Sequence, residues 1–160
     1  MILDRLTADK KLRRMALEVA ERNYEHKELT LIGIKENGIV IAKKIQEYLQ
    51  PVFKGNIILI ELSIDKKNPA DIHLSEPLDF TNRNILLIDD VASSGRTMLY
   101  AIKPILQQLP QQVETLALVE RTHKKFPIAV NYVGISVSTT LKERIVVEVE
   151  NGEVTGAWMR

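Results

Sequence analysis

Two adjacent carboxylates, Asp89 and Asp90, are the side chains of this sequence best suited to chemistry. They follow four consecutive apolar residues, 85–88, which indicate a strand buried on both faces. A loop of small residues comes next, Ser93-Ser94-Gly95-Arg96-Thr97, and the apolar spacing from Met98 onward indicates a helix. The carboxylates therefore lie between the end of a buried strand and the start of a helix.

The loop after these carboxylates has the features of an anion-binding site. The first N–H groups of a helix have no partner inside the helix, and an anion placed there is also stabilised by the positive end of the helix dipole. Gly95 lets the backbone approach a ligand closely, and Ser94 and Thr97 add hydroxyl donors. We therefore predict a phosphate bound by residues 92–97, with the backbone N–H of Arg96 among its donors.

The two carboxylates would repel that phosphate, but they can accept hydrogen bonds from two neighbouring hydroxyl groups. A phosphate beside a diol describes ribose 5-phosphate. The alternative is an ordinary strand–helix turn in which the aspartates cap the helix. The acidic pair followed by S-S-G-R-T favours a binding loop over that alternative.

A second strand–loop–helix unit lies earlier in the chain. The buried strand 29–32 leads through the loop 33–38 into an amphipathic helix that starts near Ile39. Such a loop can hold an anion, and Lys35 adds positive charge. A plain turn with Gly38 in an unusual φ is the alternative. Together with the first loop, this one favours a pyrophosphate site.

The order of the predicted elements indicates an α/β domain. Strands and helices alternate up to residue 120, which predicts a mostly parallel sheet. Ligands bind beyond the carboxyl ends of the strands in such sheets, and both candidate loops lie there. The last third predicts further antiparallel strands, with Asn151-Gly152 as a hairpin turn. The predicted strands are 29–32, 56–62, 85–88, 113–120, 129–137, 144–149 and 154–158.

Three finer expectations concern helix ends and a long polar segment. Thr7 or Asp9 should cap a first helix that reaches about Glu25. Pro104 should kink the third helix or start its second half. Residues 63–81 are polar, contain prolines and lack periodicity, which is typical of a disordered segment or of a lid over a site.

Composition limits the classes of function. The chain has 160 residues, which suits one domain over residues 1–160. Its net charge of +1 gives no overall positive potential that would attract nucleic acid or an anionic membrane. No apolar run approaches the roughly 20 residues of a membrane helix. The lack of cysteine and of a signal peptide predicts a cytoplasmic protein. A basic cluster on the first helix is either a solvated face or a surface for RNA phosphates: Lys10, Lys11, Arg13 and Arg14.

The stretch from Ile85 to Thr97 resembles the phosphoribosyl-pyrophosphate (PRPP) motif of type I phosphoribosyltransferases, in which an apolar strand, D-D and a small loop ending T-G-x-T follow one another. Ser94 replaces the usual threonine and keeps its hydroxyl. Over nearly the whole chain, the sequence is similar to the PyrR family of pyrimidine-operon regulators and uracil phosphoribosyltransferases. The other matching positions are Ile2-Leu3-Asp4, Ala20-Glu21-Arg22-Asn23, Ile32-Gly33-Ile34-Lys35, Gly38, Ala42-Lys43, Val119, Arg121, His123, Pro127-Ile128, Tyr132, Gly134, Thr139 and Glu143.

This resemblance implies the type I phosphoribosyltransferase fold, in which helices flank a central, mostly parallel sheet. It also implies a small C-terminal hood from about residue 121 onward and a flexible loop over about 63–81 that includes Lys66, Lys67 and Asn68. The implied catalytic residues are Asp89, Asp90 and Arg121, and the implied base-binding residues are Tyr132, Val133, Gly134 and Ile135. The implied PRPP-binding residues are Lys35, Asn37, Gly38, Asp89, Asp90, Val91, Ala92, Ser93, Ser94, Gly95, Arg96 and Thr97.

The sequence departs from the family pattern at three places. Lys67-Asn68-Pro69-Ala70 stands where the family's flexible loop carries Tyr-Arg-Asp-Asp, although Lys66 and Lys67 keep some positive charge. Asn37 replaces the arginine before the pyrophosphate-loop glycine. Thr139-Thr140-Leu141 replaces Thr-Ser-Lys in the hood region.

The activity implied by the resemblance is transfer of phosphoribose from PRPP to a pyrimidine base, in the first place uracil, with release of pyrophosphate. Mg²⁺ would be carried mainly by PRPP, because the sequence has no evident set of metal ligands. Two alternatives stay open: a non-catalytic regulator that senses PRPP or nucleotide and binds RNA, and a transferase for a purine base. The family also implies a homo-oligomer, at least a dimer.

Overall fold

The computed structural model describes residues 1–65 and 67–160. These residues form three helices and nine strands, and strands alternate with helices up to β6 except that β3, β4 and β5 follow one another. The elements are β1 (Leu3–Asp4), α1 (Arg5–Arg22), β2 (Glu28–Ile34), α2 (Asn37–Leu49), β3 (Asn56–Ile64), β4 (Ile72–Leu74), β5 (Asn84–Ala92), α3 (Arg96–Leu106), β6 (Gln112–Arg121), β7 (Tyr132–Val137), β8 (Ile145–Glu150) and β9 (Glu153–Met159).

A six-stranded sheet carries the fold, with the strand order β4-β3-β2-β5-β6-β7. All its neighbouring pairs are parallel except β3 and β4, which confirms the predicted α/β class. The apolar run of β5 packs on both faces of the sheet. Leu86 and Ile88 join the core under α1 and α2, whereas Ile85 and Leu87 join the core under α3. This two-sided burial explains why the run does not alternate with polar residues.

A smaller antiparallel sheet joins the two ends of the chain in the strand order β1-β9-β8. Asn151, with a φ of 53°, and Gly152, with a φ of 75°, form the turn between β8 and β9, which confirms the predicted hairpin. The predicted strand 129–137 differs from the expectation. Only Tyr132–Val137 is a strand, and it extends the main sheet in parallel with β6.

The first helix has ends other than those predicted. Asp4 caps it, because its carboxylate accepts a hydrogen bond from the backbone N–H of Thr7 at 2.7 Å. That bond also holds the pKa of Asp4 below its usual value. The helix stops at Arg22 rather than near Glu25, since Asn23 folds back and donates its side-chain amide to the carbonyl of Val19 at 2.8 Å.

Pro104 lies in the last turn of α3, which ends two residues later at Leu106. The proline therefore does not start a second half of the helix. Leu109, which the apolar pattern included in the helix, has a φ of 54° and lies beyond its end.

The polar segment 63–81 is partly structured. Strand β3 continues to Ile64, and β4 pairs with it antiparallel through Ile72 and Leu74. Of the three residues expected in the flexible loop, Lys67 and Asn68 are exposed and lie between these strands, and Lys66 lies outside the described residues. None of the described helices combines the length and apolar character that a membrane crossing requires.

Both arginines of the basic cluster on α1 are engaged in contacts within the chain. Arg13 pairs with Asp9 at 3.0 Å and lies over the ring of Tyr48 at 4.5 Å. Arg14 pairs with Glu18 at 2.5 Å and donates to two backbone carbonyls of β7, at 3.1 and 3.0 Å. Both arginines nevertheless stay exposed, so these contacts compensate their charge only in part.

A buried polar network ties α1 to β6 and β7. The hydroxyl of Tyr132, whose residue is fully buried, donates to Glu114 at 2.8 Å and accepts from Asn23 at 3.4 Å. Gln112 donates to both Asn23 and Glu114, at 3.0 and 3.1 Å. Burial raises the pKa of the Tyr132 hydroxyl far above that of a free tyrosine.

We expect Tyr132→Phe to lower the free energy of unfolding at pH 7 by about 1–2 kcal/mol, because the network loses a buried hydrogen bond. Since the folded pKa is raised, the stability that Tyr132 contributes is complete at neutral pH. It declines once the unfolded tyrosine ionises above about pH 10. Urea denaturation should show that the free energy of unfolding falls less between pH 7 and pH 11 in the variant than in the parent. The half-buried Tyr100→Phe is the matched control, and identical losses in all three proteins would contradict the assignment.

Candidate active site

The acidic pair lies near the carboxyl end of β5, in the middle of the main sheet. Asp89 is buried, with 6% of its surface exposed, and Asp90 is half-buried. One oxygen of Asp89 accepts the N–H of Asp90 at 2.8 Å, and one oxygen of Asp90 accepts the N–H of Val91 at 2.8 Å. Backbone bonds of this kind fix each carboxylate before any ligand arrives.

The loop between β5 and α3 has a backbone that glycine alone accommodates without strain. Gly95 caps α3 with a φ of 84°, in the left-handed region that L side chains rarely adopt. A Cβ at this position would lie 2.4 Å from Cγ2 of Ile128. The carbonyl of Ser94 accepts the N–H groups of Lys125 and Phe126, at 3.0 and 3.1 Å, so the segment after β6 supports the loop from behind.

The N-terminus of α3 keeps its positive dipole end uncompensated, because its first turn contains no acidic residue. One predicted donor is already used, since the N–H of Arg96 donates to the hydroxyl of Ser94 at 3.2 Å. The side chain of Arg96 lies over the ring of Tyr100, 5.9 Å from its centroid. Arg96 is also absent from the residues that line the adjacent cavity.

Two cavities meet at the acidic pair. The first cavity, of about 420 Å³, lies between this loop and the small sheet, and the second, of about 470 Å³, lies beside the loop before α2. Both are lined by Asn37, Asp89 and Asp90. The first cavity is also lined by Val91, Ala92, Ser93, Ser94, Gly95, Thr97, Met98, Arg121, Leu141, Glu143, Arg144, Ile145, Val146 and Val147. The second is also lined by Lys35, Glu36, Ser63 and Ile64.

The loop before α2 lies against the acidic pair. A Cβ at Gly38 would lie 2.9 Å from the carbonyl of Ile88 and 3.1 Å from a carboxylate oxygen of Asp89. This position therefore requires glycine because α2 approaches β5 closely, and not because its φ is positive. Gly38 itself lines neither cavity, whereas Lys35 lines the second and Asn37 lines both.

Arg121 lies in the first cavity at the end of β6. Its Nη2 donates to the carbonyl of Thr140 at 3.0 Å, which turns the guanidinium toward the segment before β8. Its Nε is buried and has no hydrogen-bond partner among the described residues. A buried donor without a partner is costly, and a ligand oxygen would satisfy it.

The residues expected to contact a base, Tyr132–Ile135, line neither cavity. The ring of Tyr132 is buried, and the carbonyls of Val133 and Gly134 accept hydrogen bonds from Arg14. The small sheet instead contributes Ile145, Val146 and Val147 to the first cavity. The sequence predicted β8 as a strand over 144–149, but none of its residue patterns indicated that this strand would lie opposite Asp89.

Metal-binding side chains are sparse among residues 1–65 and 67–160. This part of the chain holds no cluster of three or more His, Cys, Asp or Glu residues suited to a metal ion. Two carboxylates at the junction of the cavities suit a cation that arrives with its own oxygen ligands, as Mg²⁺ does when it is bound to a phosphate and water.

The sequence matches the family model described as "Phosphoribosyl transferase domain" over residues 1–150. It is 35% identical over 154 residues to "Bifunctional protein PyrR" of Streptococcus equi subsp. zooepidemicus, which covers 93% of this chain and 89% of the relative. It is 38% identical over 152 residues to the protein of the same name from Streptococcus mutans, with coverages of 91% and 86%. It is 36% identical over 152 residues to "Pyrimidine operon regulatory protein" of Lactococcus lactis subsp. lactis, with coverages of 92% and 88%.

Solved structures show the same fold at low sequence identity. The hypoxanthine phosphoribosyltransferase of Trypanosoma cruzi superposes with a TM-score of 0.82 at 11% identity and covers 98% of this chain and 94% of that one. A hypoxanthine-guanine phosphoribosyltransferase of Bacillus anthracis gives 0.75 at 19% identity, with coverages of 91% and 85%.

Proposed function

Because the chain belongs to the phosphoribosyl transferase family and, within it, to the PyrR proteins, we propose that it transfers phosphoribose from PRPP to uracil. The products are UMP and pyrophosphate. One observation supports this most strongly: the acidic pair lies where two cavities meet. The N-terminus of α3, which can bind an anion, lies on one side, and the loop that carries Lys35 lies on the other.

The cavities suggest a placement for each part of PRPP. The 5-phosphate would lie at residues 92–97, where the loop backbone and the α3 dipole stabilise an anion. The two ribose hydroxyls would donate to Asp89 and Asp90. The pyrophosphate would extend into the second cavity toward Lys35, and Arg121 would contact PRPP from the first cavity.

The transfer breaks the bond between C1 of the ribose and the pyrophosphate oxygen. It forms a bond from C1 to a ring nitrogen of the base, and the proton of that nitrogen passes to the departing pyrophosphate. Positive charge develops on the ribose ring as the leaving group departs. Asp89 and Asp90 fix the ring and lie near this charge, so positioning and electrostatics supply most of the catalysis. Mg²⁺ bound to PRPP would neutralise the leaving pyrophosphate. Residues 67–71, which lie between β3 and β4, would close over the site and exclude water.

A second role is suggested by the name of one relative, "Pyrimidine operon regulatory protein". We propose regulation through RNA as a further function of this chain. The cluster on α1 would supply the phosphate contacts: Lys10, Lys11, Arg13 and Arg14. Binding through phosphates would weaken as salt increases, because counterions are released.

The transfer proposal is tested by incubating the protein with PRPP, Mg²⁺ and radiolabelled uracil, with cytosine, hypoxanthine and guanine in parallel reactions. We expect UMP and one pyrophosphate per UMP, with at least a tenfold preference for uracil over the other bases. Conversion of hypoxanthine or guanine instead would identify a purine transferase. PRPP binding without conversion of any base would identify a non-catalytic regulator.

A further inference from the structure

Asn37 makes a contact that its predicted role in PRPP binding does not explain. Its side-chain Nδ2 donates to the carbonyl of Val147 at 2.9 Å. This bond joins the first residue of α2, beside the main sheet, to β8 of the small sheet. It crosses the site at the point where the two cavities meet.

The register of the small sheet determines which backbone groups of β8 are available there. Arg144 and Arg160 exchange both backbone hydrogen bonds, at 2.5 and 2.8 Å, and are therefore a hydrogen-bonded pair. Such pairs alternate along an antiparallel ladder. The backbone groups of Ile145 and Val147 consequently point away from β9, toward the open edge of β8, where Asn37 binds one of them.

Three backbone groups remain on this open edge, the N–H and the carbonyl of Ile145 and the N–H of Val147, and the last two are adjacent along it. Both residues line the first cavity, as do Asp89 and Asp90. An acceptor followed by a donor on a strand edge binds a ligand that offers a donor beside an acceptor, as a further strand would. A cyclic amide, with its N–H next to its C=O, offers this pair, and uracil contains such an amide.

We propose that Asn37 is a positioning residue that holds the open edge of β8 in the first cavity, where this edge binds the amide edge of the base. The inference rests on the proposed transfer reaction, and what it adds is the role of Asn37 in holding the strand that faces the base. Asn37 is neutral, and its amide N–H is directed at a protein carbonyl. Residue 37 therefore serves the base rather than the diphosphate, unlike the arginine that the family pattern has at this position.

The two roles of residue 37 predict different kinetics. Asn37→Ala and Asn37→Leu both remove the donor, and leucine keeps the volume of the side chain. We expect each variant to raise the KM for uracil about three- to tenfold, the effect of one lost hydrogen bond, and to change the KM for PRPP less than twofold. Hydrogen exchange of the β8 amides should become faster in both variants. Asn56→Ala, at an exposed asparagine that starts β3, is the matched control and should change none of these quantities.

An increase in the KM for PRPP with an unchanged KM for uracil would overturn the inference, because residue 37 would then act on the diphosphate. Unchanged exchange of the β8 amides would overturn it as well. If the parent protein converts no base, the proposed function fails separately. The exchange experiment, together with the affinity for UMP measured by calorimetry, then still decides whether Asn37 holds β8.

Discussion

Gly95→Ala should weaken PRPP binding about 30- to 300-fold while the protein remains folded. Alanine in the left-handed region costs about 1–2 kcal/mol, and its Cβ would lie 2.4 Å from Cγ2 of Ile128. The loop can relieve this contact only by moving away from the segment that supports it, and its N–H groups then no longer converge on one phosphate. Isothermal calorimetry with PRPP and Mg²⁺ measures the loss.

Gly152→Ala is the matched control for this prediction. Gly152 also has a positive φ, of 75°, but a Cβ there would meet no atom within 4 Å. It lies in the hairpin turn between β8 and β9 and lines neither cavity. We expect it to lower stability by about 1 kcal/mol and to leave PRPP affinity unchanged. Equal affinities of the Gly95 variant and the parent would show that the loop does not bind the phosphate.

Replacing Asp89 and Asp90 together by asparagine should lower kcat/KM for the transfer by at least about 10²-fold. A hydrogen bond to a charged group contributes about 1.5–3 kcal/mol, and two such bonds to the ribose hydroxyls would be weakened. Asparagine is isosteric, and its amide oxygen can still accept the backbone N–H that each carboxylate now accepts. The loop should therefore keep its conformation, and circular dichroism should match that of the parent.

Asp79→Asn provides a carboxylate control in a similar local setting. Asp79 is exposed and accepts the backbone N–H of Thr81 at 3.0 Å, but it precedes β5 and lies outside both cavities. Removing the negative charge of Asp79 in this variant should leave kcat/KM within twofold of the value of the parent. A comparable loss of activity in both proteins would mean that the effect of the acidic pair comes from net charge or stability rather than from contact with ribose.

The conformation of the loop between β5 and α3 was predictable because the signals for its strand and its helix are local. Four apolar residues identify a buried strand, and the residues after Gly95 show helical spacing. Gly95 was expected for close approach of the backbone, and the structure adds that its φ is left-handed. The same argument placed the loop before α2. Gly38 was assigned an unusual φ as one alternative, whereas its actual requirement is contact with Asp89, which depends on tertiary packing.

The position of the β8–β9 hairpin over the first cavity was not predictable to the same extent. The hairpin signal Asn151-Gly152 identified the pairing of β8 with β9, but the position of that hairpin depends on contacts between distant segments. One is the pairing of β1 with β9, and another is the bond from Asn37 to Val147. The family resemblance implied Tyr132–Ile135 as base-binding residues, and the strand that lines the first cavity is β8.

The helix ends show a related limit. Asp4, Thr7 and Asp9 are all acceptable capping residues, and propensity alone does not choose among them. The pairing of β1 with β9 fixes the chain just before Asp4, so the helix begins there. Asp9 is used instead by Arg13 and Tyr48, both of which contact it from α1 and α2.

Binding of PRPP at the junction of the two cavities is tested most directly by calorimetry. PRPP with Mg²⁺ is titrated into the parent and into the Asp89→Asn/Asp90→Asn protein. We predict one site per chain in the parent, an affinity at least tenfold weaker in the double variant, and competition by pyrophosphate in the parent. Binding of equal strength in both proteins, or no binding of PRPP to the parent, would contradict the claim.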